Sequence, residues 1–363
     1  MKKVWGVLVF VIFVSGVIFL SRNQTKTGQI TSLQGQAVSA ERRIGVLAKN
    51  LQVPWAIAFL PSGDLVFTQR GGEIKLIAKG TSAVTSVVTI DEVKQYGEGG
   101  LLGIAVSPKF SANNYIFVYY TYSSNGDDTK NRVVRYKFAG GKLSDRMVIV
   151  DAIPGAVFHN GGRIKFGPDG YLYITAGDSL NPSLAQDTNS LAGKILRIDE
   201  SGKAAFGNPF GNRVYSYGHR NPQGLAWDSR GRLWETEHGN TATDEVNLIE
   251  PGKNYGWPDV RGDEKRNGMI LPVVQSGVTT WAPSGAAIFD GNLFFAGLKG
   301  QGLFKISIDS PTLSQKVVSD LGRVREVVIG PDNLLYIATN NTDGRGNPGA
   351  DDDKIIVLDP KSL

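Results

Sequence analysis

Cysteine is absent from the 363 residues, which excludes disulfides, thiolate metal sites and cysteine nucleophiles. A chain without thiols suits an oxidising compartment. Several signatures are missing as well. H-E-x-x-H, G-x-S-x-G, a Walker loop and a strand-G-x-G-x-x-G-helix unit do not occur, so readings built on nicotinamide, ATP or a serine hydrolase fall away. No run of five Lys/Arg is present. The formal charge of +5 and pI near 9.1 therefore describe scattered solvated cations, or a few gathered round an anionic ligand, rather than a nucleic-acid surface. Long helical periodicities are scarce.

What is present is a chain 41% hydrophobic and 20% charged, the composition of a soluble globular protein, with 45 glycines that call for many turns. The fold class expected is all-β. One pattern recurs six times: a small apolar strand, a turn of Pro, Asp, Gly or Asn, then a strand rich in aromatics. The copies lie at 55–68, 101–121, 157–179, 223–236, 284–296 and 325–339, with turns near 61, 107, 167, 228, 290 and 330. Steps of roughly 40 to 60 residues with several strands each are the mark of a propeller, here a six-bladed β-propeller of four-stranded antiparallel blades. The bland alternative is two unrelated β-sandwiches with similar hairpins. However, no linker divides the chain into halves. The carboxy-terminal K-I-I-V-L-D at 354–359 is expected to pair with a strand near Ile44 to Ala48 and close the ring.

Lys2 and Lys3 precede an apolar run from Val4 to Leu20, which reads as an export signal or an uncleaved anchor helix. Residues 21–40, rich in Ser, Thr, Gln and Gly, read as a flexible linker, leaving 41–363 for the propeller domain.

Between Val157 and Ser179, G-P-D-G at 167–170 signals a tight turn between R-I-K-F and Y-L-Y-I-T. A hairpin there makes neighbours of His159 and Asp178. The chain has only three histidines, His159, His219 and His238, each in a Gly/Asn-rich context. A lone histidine is more often a structural hydrogen bonder, but three at blade edges favour a functional reading, with His159 the candidate base and Asp178 its orienting partner or a substrate ligand. Arg220, Asn221, Lys299, Arg323 and Arg325 supply polar and cationic groups from three blades. Arg323 and Arg325, two apart on a strand, share a side and repel unless an anion lies between them; alone they would read as two solvent-facing arginines. The segment 234–249 mixes carboxylates with Gly and Asn in a loop where calcium would find oxygen ligands, although it matches no EF-hand.

The ordered set P-W-A-I-A-F at 54, G-E-G-G-L-L-G at 97, H-N-G-G-R-I at 159, T-A-G-D at 175, G-H-R-N-P-Q-G at 218, E-H-G at 237, N-Y-G-W-P at 254, A-P-S-G at 282, L-K-G at 298 and R-V-R-E at 323 resembles the glucose/sorbosone dehydrogenase family. These are soluble quinoprotein sugar dehydrogenases that use pyrroloquinoline quinone (PQQ), and the resemblance spans about residues 45 to 358. It implies the six-bladed fold, His159 as general base for the C1 hydroxyl of an aldose while hydride passes to C5 of the quinone, and Arg220 as the cation beside the quinone oxygen. It further implies Asp178 as a substrate-side carboxylate and Asn221, Lys299, Arg323 and Arg325 as the grip on the PQQ carboxylates. Gly239 and Asn240 match the loop whose carbonyls hold calcium. Glu98 stands where the glucose enzymes carry glutamine, and Asn240 where they carry proline. Thr280 matches a cofactor contact, without the aromatic neighbours of that position. Shorter loops place the chain nearer the aldose sugar dehydrogenase branch. The reading is an exported PQQ- and calcium-dependent dehydrogenase that turns aldoses into lactones and passes electrons to an external acceptor, a quinone or dye. Its alternatives are a metal-dependent propeller lactonase, which needs convergent carboxylates where this chain has cations, and a non-catalytic binding propeller.

Overall fold

In the computed structural model each of the six repeated units is the first hairpin of a four-stranded antiparallel sheet, and the six sheets are the blades of a propeller. The structure describes residues 45–363 apart from Asp127 and Leu313; the expected export segment and linker lie outside the described residues. No helix among the described residues is long and apolar enough to cross a membrane.

After β1 (Gly45–Ala48) the chain makes one blade from β2 (Pro54–Phe59), β3 (Leu65–Gln69), β4 (Glu73–Ile77) and β5 (Val84–Thr89). The next holds the longest strands: β6 (Leu101–Val106), β7 (Tyr115–Asn125), β8 (Asp128–Ala139) and β9 (Lys142–Pro154). Then come β10 (Ile164–Phe166), β11 (Leu172–Ala176), β12 (Lys194–Ile198) and β13 (Val214–Tyr217), followed by β14 (Pro222–Trp227), β15 (Leu233–Glu237), β16 (Glu245–Ile249) and β17 (Val274–Gln275). The fifth blade is β18 (Pro283–Phe289), β19 (Asn292–Gly297), β20 (Gly302–Ser307) and β21 (Gln315–Val318). The last joins β22 (Val324–Ile329), β23 (Leu335–Thr339) and β24 (Ile355–Leu358) to β1, with Gly45 opposite Val357. The ring therefore closes as the sequence suggests.

Burial grades outward across each blade. Every residue of β3, β11 and β15 is buried, because a blade's second strand is covered on both faces by its neighbours. The outermost β5 is mostly exposed. Five of the six inner strands carry one extra residue against their partner near their start, at Trp55, Leu102-Gly103, Gln223, Ser284-Gly285 and Arg325. A bulge re-aims side chains and is common beside active sites. Threonine hydroxyls tie two of these bulges to the preceding blade: Thr68 Oγ1 donates to Leu102 O and Thr236 Oγ1 to Ser284 O, at 2.6 and 2.7 Å.

Candidate active site

The segments that run into the inner strands converge at one end of the ring. The loop before β10 carries His159, held at φ +60° with its N–H donating to a Glu98 carboxylate oxygen at 3.2 Å. The β10–β11 hairpin returns the chain to Asp178, whose Oδ1 lies 2.7 Å from His159 Nδ1. Gly177 permits this approach: a Cβ there would sit 2.1 Å from His159 O. Asp178 is fully buried, its Oδ1 also accepts Leu180 N and its Oδ2 accepts Trp257 Nε1 at 2.8 Å. A carboxylate so occupied fixes the imidazole tautomer with its proton on Nδ1 and leaves the Nε2 lone pair free to take a proton. Of the two roles expected for Asp178, the geometry matches orientation of His159 rather than direct contact with a substrate.

Arg220 and Asn221 enter ahead of β14. The Arg220 guanidinium donates to Gly239 O at 2.5 Å and His238 O at 3.3 Å, stands over the Trp257 ring, and keeps a buried Nε without a partner. Burial lowers its pKa while Asp178 and Glu237 oppose that shift. Asn221 Oδ1 accepts Gly161 N and Gln223 Nε2, which fastens the H-N-G-G loop to the next blade.

Arg323 and Arg325 are not solvent-facing: each is only 6% exposed. Their repulsion is relieved on one side alone. Arg323 pairs with Asp343 at 2.8 Å, whereas Arg325 meets only neutral groups, Gln223 Oε1 at 2.9 Å and Ser284 Oγ at 3.3 Å, and lies over Trp55. Burial and then Arg323 push the Arg325 guanidinium down to about 9. A buried cation with amide and hydroxyl partners and no carboxylate suits an anionic ligand. Lys299 follows β19 on an exposed turn whose backbone is anchored to Trp281 O.

Glu98 differs from a free ligand-binding group. Its Oε1 pairs with Arg345 at 2.7 Å and its Oε2 takes the His159 N–H; burial opposes its charge, but His238, Arg345 and that amide hold the carboxyl at about 2. Thr280 donates its hydroxyl to Asp244 Oδ2 at 2.7 Å, the same oxygen that accepts Trp281 N and Ala282 N, while Asp244 Oδ1 accepts Gly239 N. Asp244 thus ties the Gly239-Asn240 loop to the Thr280 loop.

The carboxylates of 234–249 do not share a loop. Glu235 and Glu237 lie on β15, facing Asn247 and Glu245 on β16, since alternation puts residues two apart on one face. His219 is buried between Ser216 Oγ and Glu237, each at 2.8 Å, and stacked on Tyr255, a structural role rather than a catalytic one. Among the described residues, ligand atoms of His219, Glu235 and Glu237 lie within 4.8 Å of one another, but both ring nitrogens of His219 are already bonded. His238 is different: burial brings it to about 4, and its buried Nε2 has no partner.

The family model for glucose/sorbosone dehydrogenase matches residues 51–348. The chain belongs to that family. Aldose sugar dehydrogenase YliI of Escherichia coli is 33% identical, over 85% of this chain and 92% of the relative. Quinoprotein glucose dehydrogenase B of Acinetobacter calcoaceticus is 31% identical over 61% of this chain and 54% of its own length. The PQQ-bound aldose sugar dehydrogenase of Streptomyces coelicolor superposes with a TM-score of 0.82 at 40% identity, covering 88% of this chain and 98% of that one. Within this glucose/sorbosone dehydrogenase chain, sequence reasoning missed Asp244, Trp257, Gln223, Asp343 and Trp55. Trp55, Gln223 and Trp257 stood inside the motifs P-W-A-I-A-F, H-R-N-P-Q-G and N-Y-G-W-P, and Asp244 inside the acidic segment 234–249; only for Gln223, an amide two residues after Asn221, did the spacing itself give a signal. Asp343 carried none.

Proposed function

We propose that the protein is an exported PQQ- and calcium-dependent dehydrogenase that oxidises the C1 hydroxyl of aldose sugars to lactones. The observation that carries the reading is the oriented His159–Asp178 pair on the same rim as the carboxylate-free Arg325 cation. The donor set suits PQQ: Arg325 and Arg323, with Asn221 and Lys299 beside them, would hold its carboxylates, and the unpartnered Arg220 Nε marks a buried donor awaiting an acceptor. Thr280, whose one hydroxyl proton goes to Asp244, has no donor left for the cofactor and serves to tie its loop to the Gly239-Asn240 loop. The carbonyls of Gly239 and Asn240 would hold calcium, with Gly239 O exchanging its Arg220 Nη1 donor for the ion. When bound, PQQ would supply the two-electron oxidant and calcium a Lewis acid.

His159 takes the C1 hydroxyl proton on Nε2, and Asp178 steadies the imidazolium that results. Arg220 stabilises negative charge that develops next to it, in a site where burial makes each charge count for more. Glu98, locked by Arg345 and the His159 amide, acts here as the brace for His159. The apolar segment 1–20 supports export, with the electrons leaving to an external acceptor.

The deciding experiment is dye reduction by glucose and other aldoses, with and without PQQ and calcium, alongside PQQ affinity measured directly. Activity is expected only with both added. His159→Ala should abolish turnover and still bind PQQ, whereas Arg323→Ala with Arg325→Ala should weaken PQQ binding by about a hundredfold or more. Normal turnover by the His159 variant, or activity without PQQ, would refute the assignment.

A further inference from the structure

The layer formed by Arg325, Gln223 and Ser284 closes the axial channel beneath the site, and on its far side the channel opens again as a funnel of about 640 Å³. The wall is built from the far ends of the inner strands. Each blade contributes one residue to an apolar collar: Phe59, Val106, Phe166, Trp227, Ile288 and Ile329, all half-buried. None of the residues assigned to the dehydrogenase site lines this space.

Three charged side chains reach into it, Arg163, Lys165 and Glu326. Arg163 takes the Glu326 carboxylate as its ion pair through Nη1, and its buried Nη2 has no partner. Lys165, two residues along on the same side, finds only the Leu225 carbonyl, at 3.3 Å. Two cations therefore share one anion in an otherwise apolar funnel. An ammonium in such surroundings without a carboxylate of its own is costly unless a counter-ion arrives with the ligand. The volume falls in the range of small-molecule pockets, and apolar walls with a few convergent polar groups are their usual make-up.

We propose that this funnel is a second binding site, for a small apolar monoanion such as a medium-chain carboxylate, with its headgroup on Lys165 and Arg163 and its body against the collar. Charge complementarity selects the occupant: a neutral apolar molecule leaves Lys165 unanswered, and a polar anion such as a sugar acid leaves the collar uncovered. The site is independent of the dehydrogenase reading.

Calorimetric titration of the full chain with decanoate, and in parallel with decanol and gluconate, tests this. Saturable uptake of one decanoate per chain is expected, with decanol and gluconate both at least about tenfold weaker. Lys165→Met should weaken decanoate by about tenfold or more, Lys165→Arg should retain it, and Trp227→Ala should weaken it through the collar alone. PQQ affinity should stay unchanged in all three. Decanoate binding that is unaffected by Lys165→Met, decanol binding as tightly as decanoate, or no saturable uptake by the wild-type chain would each overturn the proposal.

Discussion

At the scale of single residues, the chemistry rests on how fully Asp178 is committed. Both of its oxygens are spoken for, by His159 and Leu180 N on one side and Trp257 on the other. Asp178→Asn keeps the shape but presents one oxygen and one NH₂, so it cannot hold the same imidazole tautomer and accept the indole N–H with equal fidelity. The expected outcome is a fall in kcat of about 10²-fold or more, with sugar KM and PQQ affinity nearly unchanged. Steady-state kinetics with a separate PQQ titration checks it, and a loss confined to KM would return Asp178 to the substrate side. The His159–Asp178 pair was legible in the sequence because a short hairpin with a G-P-D-G turn has only one way to bring its ends together. Trp257 was not, since it reaches Asp178 from 79 positions away along the chain. The Arg323–Arg325 pair shows the same limit: spacing revealed the crowding, but not that Asp343 relieves only one member.

At the scale of elements, the six hairpins were readable because inner and second strands are buried on both faces and so are written in apolar and aromatic residues. Outer strands were not readable, because β5 is largely and β21 half exposed, and exposed positions tolerate almost any pattern. The same gradient explains why the acidic segment looked like a loop. Glu237 and Glu245 face each other across β15 and β16, and carboxylates at buried strand positions break the expected code. Burial and then Glu237 push Glu245 up to about 8 from an ordinary value of 4.5. The folded state thus holds a proton that the unfolded chain releases, so this group stabilises the fold below pH 4.5 and that contribution is lost as pH rises towards about 8. Glu245→Gln should flatten the decline in melting temperature across that window in chelator-treated protein. Parallel curves for variant and wild type would show that the carboxyl does not titrate there.

At the scale of the molecule, the ring is completed by chain ends far apart in sequence. β24 pairs with β23 on one side and with β1 on the other, so one short strand joins the last blade to the amino-terminal segment. Removal of residues 355–363 strips that blade of two ladders and uncovers new edges on β23 and β1, the two strands that flanked β24. The truncated chain is expected to lose its cooperative thermal transition and to aggregate. A melt within a few degrees of the full chain, followed by circular dichroism, would show that closure is dispensable. The propeller itself was plain from the repeat, whereas the number of strands per blade rested on the architecture that such repeats build.

The extra residue near the start of five inner strands separates two properties that most active sites couple. Because the irregularity is set by the backbone, the hydrogen-bonded frame of each blade tolerates different side chains there, as Trp55, Gln223, Ser284 and Arg325 already demonstrate. Ligand preference can therefore diverge at those positions, one blade at a time, while the backbone ladder of each blade stays the same.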